Sequence, residues 1–220
     1  MGGEEMCGRF SLYDIFGLEV LFNIYLPDWV KPRYNIAPSQ EILAVIKNGG
    51  CQAVQLKWGL IPFWAKDMVP GMINARAETV DIKPSFKESF KSRRCLIPAD
   101  GFYEWKKEGA RKRPYRINLK NGGVFAFAGL WDRWTSPKGE TINSCAIITT
   151  SANTMMEPIH NRMPVILEKD AEEAWLAADT DMTTLKSILK PYRSELMESC
   201  EVSSLVNNFR NDNREILKPV

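Results

Sequence analysis

The chain has 220 residues, of which 45% are hydrophobic and 25% charged, and its formal net charge is +2. This length and composition favour one globular domain with a buried core, and the small charge excludes a global cationic field as the basis for binding nucleic acid. No apolar run approaches the roughly 20 residues of a membrane span. Because the five cysteines are widely spaced and there is one histidine, we expect no disulfide framework, no metal, no cofactor and a cytoplasmic protein.

The first third of the chain predicts one helix, a hairpin and a loop. Apolar residues at mixed helical spacing predict a helix over 11–24. Two strands, 42–46 and 53–58, are predicted on either side of the turn sequence Asn48-Gly49-Gly50. Residues 59–72 are rich in proline, glycine and tryptophan and predict an irregular loop.

The rest of the chain is rich in predicted strands. A short helix is predicted over 84–92, with a proline in its first turn. Later helices are predicted over 170–178 and 181–190. Strands are predicted at 95–98, 102–106, 115–119, 124–131, 144–150 and 164–167. Because the strands cluster without regular alternation with helices, the sequence favours an α+β domain with a largely antiparallel sheet.

Cys7 directly follows Met6, so loss of the residues up to Met6 leaves a cysteine at the N-terminus. A terminal cysteine has an α-amine with a pKa of roughly 7.7–8.0, which is partly neutral near neutral pH and attacks an aldehyde to form a Schiff base. The neighbouring thiol then closes onto the same carbon and gives a thiazolidine. The alternative is a buried structural cysteine, which is the commoner role of a free thiol.

Two titratable side chains are candidates for proton transfer. His160 lies in a polar, proline-containing segment that predicts a loop, and its side chain titrates near physiological pH. Glu104 shares a predicted strand face with Phe102 and is flanked by two aromatic residues, an environment that raises a carboxyl pKa. The alternatives are a hydrogen-bonded structural histidine and a solvated strand face.

Several side chains are candidates for binding DNA. Asn74 and Arg76 stand at positions i and i+2 of an extended segment and therefore point the same way, which suits contact with a phosphate or sugar. Arg9 and Arg162 are further candidates for that contact. Trp64 could stack on an exposed base or wedge between bases. The alternatives are surface ion pairs for the arginines and packing of the loop onto the core for the tryptophan.

Taken in chain order, a series of short motifs resembles the SOS-response-associated peptidase (SRAP) family. The motifs are MCGRF (6–10), RYNIAP (33–38), WGLIP (58–62), INARAET (73–79), RCLIPADGFYEW (94–105), FAGLW (127–131), IITT (147–150) and IHNRMP (159–164). The resemblance runs from Met6 to about Val206, nearly the whole chain. So many motifs in the same order make a chance similarity untenable.

The resemblance implies a single domain over 7–220, with a barrel-like, largely antiparallel β core, flanking helices and a groove for single-stranded DNA. It implies that Cys7 crosslinks to an abasic sugar during the response to DNA damage. By position, the family's other active-site residues match Asn74, Glu104 and His160. Residues that contact DNA in the family match Arg9, Trp64, Arg76, Thr149 and Arg162. We expect a monomer that meets abasic sites, including those at junctions with duplex DNA, on the nucleoid.

The resemblance also bears on the N-terminus, because the family is named for release of its own terminal cysteine. It implies that residues 1–6 are removed, either by initiation at Met6 or by cleavage between Met6 and Cys7. While they remain attached, Cys7 has an amide nitrogen and forms no Schiff base. A Schiff base can also eliminate the 3′ phosphate, so a weak lyase activity is expected.

Two other functions remain open from the sequence. The first is a thiol peptidase acting on other proteins, with Cys7 as nucleophile, His160 as base and Glu104 or Asn74 as the group that orients it. The second is a non-catalytic module that binds single-stranded DNA. In that module Cys7 is dispensable, while Arg76 and Trp64 still matter.

Overall fold

Strands dominate the computed structural model, which describes residues 7–67 and 70–220. The strands are β1 (Arg9–Leu12), β2 (Arg33–Ile36), β3 (Glu41–Asn48), β4 (Gly50–Trp58), β5 (Asn74–Arg76), β6 (Arg94–Ala99), β7 (Gly101–Glu108), β8 (Arg111–Leu119), β9 (Phe125–Thr135), β10 (Thr141–Ser151), β11 (Arg162–Pro164) and β12 (Met197–Glu201). The helices are α1 (Leu18–Phe22), α2 (Lys87–Ser92), α3 (Ala171–Leu176) and α4 (Met182–Ile188). None of the helices in the described ranges is long and apolar enough to cross a membrane.

Five strands of the larger sheet form a ring. The hydrogen-bonded order is β10-β4-β3-β6-β9, and β9 pairs again with β10. The pairs are mostly antiparallel, although β10 runs parallel to β4 and to β5. α2 and α3 pack against β6 on this ring. The predicted α+β architecture, with a barrel-like antiparallel core and flanking helices, is therefore confirmed.

The smaller sheet has the order β12-β8-β7-β1-β2 and packs on the ring through aromatic side chains. The Phe10 ring from β1 lies 5.2 Å from Trp58 of β4 and 5.8 Å from Phe127 of β9, measured between ring centroids. Both contacts are edge-to-face, a favourable geometry for aromatic pairs. Residues from both sheets share one hydrophobic core, so the N-terminal strand is held firmly against the ring.

Most predicted elements are present, but the helix predicted over 11–24 is wrong. Residues 11 and 12 belong to β1, and α1 is a five-residue helix that starts after Gly17, at φ 80°, and ends at Asn23, at φ 50°. Apolar spacing does not separate a strand from a helix over so short a segment, whereas pairing with β7 does. The hairpin at Asn48-Gly49-Gly50 is confirmed, with Gly49 at φ 72°.

The loop over 59–72 is irregular, as the sequence predicts, and its described residues are pinned at several points. The Ile61 N–H donates to Ser144 Oγ (2.9 Å), the Phe63 N–H donates to Asp132 Oδ2 (3.0 Å), and Trp134 Nε1 donates to the Ala65 carbonyl (2.7 Å). Phe63 and Trp64 remain about half exposed. The ring therefore presents two aromatic side chains on an anchored loop.

We expect Gly71→Ala to destabilise this loop, because a Cβ at position 71 would lie 2.2 Å from the Gly59 carbonyl oxygen. The backbone has to move, which is a form of overpacking and costs about 1–3 kcal/mol of unfolding free energy. Denaturant unfolding measures this change. Gly50→Ala is the matched control, because a Cβ there meets no atom within 4 Å. Equal stability of the two variants would contradict the close approach of the backbones.

Candidate active site

The β1–β7 pairing brings Cys7 to Glu104. Phe10 lies opposite Phe102 and Arg9 opposite Tyr103, so the chain that precedes β1 runs past the next residue of β7. The backbone N–H of Cys7 donates a hydrogen bond of 2.6 Å to Glu104 Oε1. The Cys7 side chain is fully buried and Glu104 is 2% exposed, so the solvated strand face considered for Glu104 is excluded.

Burial keeps both groups of this pair protonated at neutral pH. It raises the pKa of Glu104 from 4.5 to about 8, although the N–H groups of Cys7 and Trp105 oppose the shift. Burial, and then the charge of Glu104, raise the pKa of the Cys7 thiol well above its ordinary value. The site therefore holds a proton on a carboxyl beside the Cys7 nitrogen, and the sulfur is a thiol rather than a thiolate.

A buried polar network fixes the other end of β1. The carboxylate of Asp100 accepts hydrogen bonds from Ser11 Oγ (2.6 Å) and from the Asp14 N–H (2.9 Å). Arg116 Nη2 donates to the Asp100 carbonyl (2.9 Å) and lies so close to Gly101 that a Cβ there would be 2.7 Å away. Sequence reasoning missed this network, since Ser11 and Asp100 meet only when β1 pairs with β7.

A second network ties β1 and β2 to residues 206–212. Asn35 is fully buried, and its Nδ2 donates to three carbonyl oxygens, those of Val206, Asn208 and Asn211. Arg9 Nη1 donates to the Val206 carbonyl (2.6 Å) and to Asn35 Oδ1 (3.0 Å), and its guanidinium lies 6.0 Å from the Trp105 ring centroid. Arg9 therefore helps to hold residues 206–212 against β1 and β2. Its contact with DNA stays a prediction.

Four other predicted residues meet on β5, β10 and β11. Arg76 lies opposite Thr149, and Asn74 lies opposite Ile147, to whose carbonyl its Nδ2 donates at 3.5 Å. Arg162 Nη2 donates to the Thr149 carbonyl (2.7 Å). The extended geometry predicted for residues 74–76 is confirmed. The side chains of Asn74 and Arg76 therefore point to the same face of the strand.

Arg162 already has a carboxylate partner. Its Nη1 and Nη2 donate to the two oxygens of Glu78, and these hydrogen bonds lower the Glu78 pKa. Arg76 is exposed, and its charge lowers the same pKa further. A phosphate that binds Arg162 therefore has to share the guanidinium with Glu78, whereas Arg76 is open to an anion from solvent.

His160 precedes β11 and lies against its backbone. Its Nδ1 accepts a hydrogen bond of 3.1 Å from the Arg162 N–H and also lies 3.3 Å from the Arg162 carbonyl oxygen. Within 7–67 and 70–220, no hydrogen bond or ion pair joins His160 to Cys7 or Glu104. The hydrogen bonds made by the predicted residues thus fall into two clusters, one around Cys7 and one around Arg162.

The core connects the two clusters. Phe10, three residues after Cys7, packs on Trp58, whose Nε1 donates to the Ile73 carbonyl (3.0 Å) just before Asn74. Trp64 stands on the anchored loop, where it is 52% exposed and its Nε1 approaches the Pro84 carbonyl at 3.4 Å. An aromatic side chain therefore remains available beside the strands that carry the second cluster.

A buried cysteine whose backbone nitrogen is held by a carboxyl group thus lies just before β1 of the smaller sheet, which packs on the ring. The family model described as SOS response associated peptidase (SRAP) matches residues 6–209, and the chain belongs to this family. The family predicted from the motifs is thereby confirmed.

The chain is similar to named relatives and to a solved structure over most of its own length. The chain is 49% identical to the abasic site processing protein YoqW of Bacillus subtilis (strain 168), over 97% of this chain and 99% of that protein. It is 32% identical to the abasic site processing protein HMCES of Gallus gallus, over 88% of this chain and 69% of that protein. A solved structure from Bacteroides thetaiotaomicron superposes with a TM-score of 0.88 at 28% identity, over 97% of this chain and 100% of that one.

Proposed function

We propose that this protein processes abasic sites in single-stranded DNA by forming a thiazolidine crosslink through Cys7, once Cys7 is the N-terminal residue. The observation that carries the proposal is the buried hydrogen bond of 2.6 Å between the Cys7 nitrogen and Glu104. The names of the relatives, abasic site processing proteins, support the substrate class. An abasic sugar in its open form carries the aldehyde that an aminothiol condenses with.

The proton held by Glu104 supports the first step. A terminal α-amine has a pKa of roughly 7.7–8.0, close to the value of about 8 for Glu104. The two groups therefore hold a proton about equally well, so near neutral pH the amine is neutral in part of the molecules while Glu104 keeps its proton. The amine attacks the aldehyde carbon. The carbinolamine then loses its hydroxyl as water, taking the proton from Glu104, which leaves a protonated Schiff base beside the Glu104 carboxylate.

Ring closure follows from the same pair. The Cys7 sulfur adds to the imine carbon, its proton passes to the Glu104 carboxylate, and the ring nitrogen becomes neutral. One aldehyde and one aminothiol thus give one thiazolidine and one water. We assign to Asn74 the orientation of the terminal residue and to His160 proton transfer at the sugar. Elimination of the 3′ phosphate from the Schiff base is the competing, weaker lyase reaction.

The protonated thiol favours this route over a thiol peptidase. A cysteine nucleophile that attacks peptides needs a lowered pKa and an adjacent base. Burial moves the pKa of the Cys7 thiol in the opposite direction. His160, the candidate base, hydrogen bonds instead to the backbone of Arg162. An amine-first reaction needs neither a thiolate nor that contact.

We further propose that residues 1–6 are removed and that 7–220 is the working domain. Cys7 has a φ of 41°, a left-handed conformation that costs a non-glycine residue about 1–2 kcal/mol. This torsion is defined through the carbonyl carbon of Met6, so loss of Met6 releases the strain. Glu104 Oε1 lies 2.6 Å from the Cys7 nitrogen, where a protonated carboxyl can give its proton to the nitrogen that leaves when water hydrolyses the peptide bond.

DNA binding is assigned to the second cluster and the aromatic loop. Arg76 is exposed to solvent, and Arg162 stands beside it across β10. Arginines that hold phosphates make binding sensitive to salt. Trp64, half exposed on its loop, offers a stacking surface for a base.

The test is a denaturing gel. Protein verified by intact mass to begin at Cys7 is mixed with a single-stranded oligonucleotide that carries one abasic site, beside an intact-base control. We expect a heat-stable shifted band that requires the abasic site. If protein of verified N-terminus gives no such band, the crosslinking function is wrong, and retained binding of both oligonucleotides would indicate a plain DNA-binding module.

A further inference from the structure

The β7–β8 hairpin carries the densest positive charge of the chain. Residues 106–113 contain five cations and one carboxylate, for a net charge of +4. Because the whole chain carries +2, all other residues together carry −2. The cations are Lys106, Lys107, Arg111, Lys112 and Arg113. The electrostatic attraction of this protein for a polyanion is therefore concentrated on one hairpin.

The register of the hairpin sets like charges against each other. Lys106 lies directly opposite Arg113, and Lys107 lies directly opposite Lys112. Like charges at opposed positions destabilise a strand pair. Glu108 compensates the first pair, through contacts of 3.0 Å to Lys106 and 3.2 Å to Arg113. Binding of an anion at Lys112 would reduce the repulsion within the second pair.

Two of the cations face solvent alone. In the part of the chain that the structure describes, neither Arg111 nor Lys112 forms a hydrogen bond or an ion pair, and residues 107–113 are exposed throughout. β1 pairs with β7 only as far as Tyr103, and β12 pairs with β8 only from Tyr115 onward. The end of the hairpin therefore projects beyond the sheet, whereas Arg113 at its base donates a hydrogen bond to Glu201 of β12.

The hairpin begins at the candidate active site. A strand rises about 3.3 Å per residue, so Lys107 lies about 10 Å along β7 from Glu104 and the turn about 20 Å. Trp105 lies between them, on the same strand face as Lys107. These distances correspond to a few nucleotides of a DNA strand, which places the charges within reach of DNA bound at Cys7.

We propose that the β7–β8 hairpin binds backbone phosphates of the DNA arm that leads away from the abasic site. This inference rests on the proposed function, because it takes DNA in the Cys7 site as its starting point. The arm is single-stranded or duplex, and both present the same phosphodiester anions. Each phosphate contact releases counterions, so the hairpin contributes affinity that falls as salt is raised.

The test compares two double variants that each remove two positive charges. Arg111→Gln with Lys112→Gln changes the hairpin. Lys120→Gln with Lys138→Gln is the matched control, because both lysines are exposed and Lys120 follows the opposite end of β8. Dissociation constants are measured for intact-base oligonucleotides, single-stranded and with a duplex arm, at several salt concentrations. Crosslinking to an abasic site is measured separately at saturating protein.

We expect the hairpin variant to bind at least several-fold more weakly at low salt, and the control to bind like the parent. For each lost contact, the slope of log affinity against log salt should shrink by about 0.7 for a single strand or about 0.9 for a duplex, which identifies the arm. Crosslinking by the hairpin variant at saturation should persist.

Two outcomes separate this inference from the proposed function. If the parent crosslinks but the hairpin variant keeps the parent's affinity and salt slope, or the control loses as much, the hairpin proposal is wrong and the charges serve only to protect a strand edge. If the parent binds DNA through the hairpin but does not crosslink, the crosslinking function is wrong and the hairpin stands as a DNA-binding element.

Discussion

Glu104→Gln is expected to slow crosslinking by about 100- to 10,000-fold, the usual contribution of a general acid–base group. Glutamine has the shape of glutamate, and its amide oxygen can still accept the hydrogen bond from the Cys7 nitrogen. It cannot give a proton to the departing hydroxyl or take the proton that the thiol releases. The rate constant from a time course of gel-resolved crosslink, on protein verified to begin at Cys7, measures the loss.

Glu108→Gln is the matched control for this variant. Glu108 stands on the same strand, four residues on, and pairs with exposed cations of the hairpin rather than with Cys7. The control should crosslink at a rate within a few-fold of the parent. A Glu104→Gln protein that crosslinks as fast as this control would remove Glu104 from the reaction.

The same substitution should change the pH dependence of stability. The pKa of Glu104 is raised by folding from 4.5 to about 8, so between these values the folded protein keeps a proton that the unfolded chain releases. The stability contributed by Glu104 is therefore fully present below pH 4.5 and is lost as the pH rises through about 8. Glutamine does not titrate. The difference in unfolding free energy, variant minus parent, should increase from pH 4.5 to above pH 8, and an unchanging difference would contradict the raised pKa.

The fold was predictable where local signals are strong. The glycine turn between β3 and β4, and the apolar strands of the ring, follow from patterns within a few residues of the chain. The prediction of an N-terminal helix failed because Ser11 pairs with Gly101 of β7, 90 residues away, and Leu12 pairs with Arg33 of β2. Tertiary pairing of that kind leaves no local periodicity to detect.

The individual residues of the site were predictable from the sequence, but the contacts between them were not. Aromatic neighbours indicated a raised pKa for Glu104, and the structure gives that result with burial as the leading cause. The bond from the Cys7 nitrogen to Glu104 joins residues 97 positions apart and depends on the β1–β7 register. The Asn35 network was invisible for the same reason, since all three of its carbonyl partners belong to a segment near the other end of the chain.

The second prediction with a large expected effect is that crosslinking requires Cys7 to be the N-terminal residue. Protein that begins at Cys7 should form the heat-stable crosslink, whereas protein that verifiably keeps residues 1–6 should form none. An amide nitrogen has its lone pair delocalised into the carbonyl and does not add to an aldehyde. The two proteins contain the same thiol and the same Glu104, so the comparison isolates the amine. Crosslinking by the extended protein, with its mass unchanged afterwards, would show that the thiol acts without the amine.

Cys7→Ala, prepared with a free terminal amine, separates the two bonds of the thiazolidine. Its amine should still form a Schiff base, which borohydride reduction traps as a covalent adduct on the denaturing gel. Without reduction the adduct should hydrolyse on heating, because no sulfur is present to close the ring. Cys7 is a small buried residue, so a thermal melt of this variant checks that the fold survives.

An unreduced alanine adduct as durable as the parent's would mean that the stable link does not involve the thiol. If reduction also traps no adduct, the α-amine is not the attacking group, and only the parent's sulfur would remain to explain its crosslink.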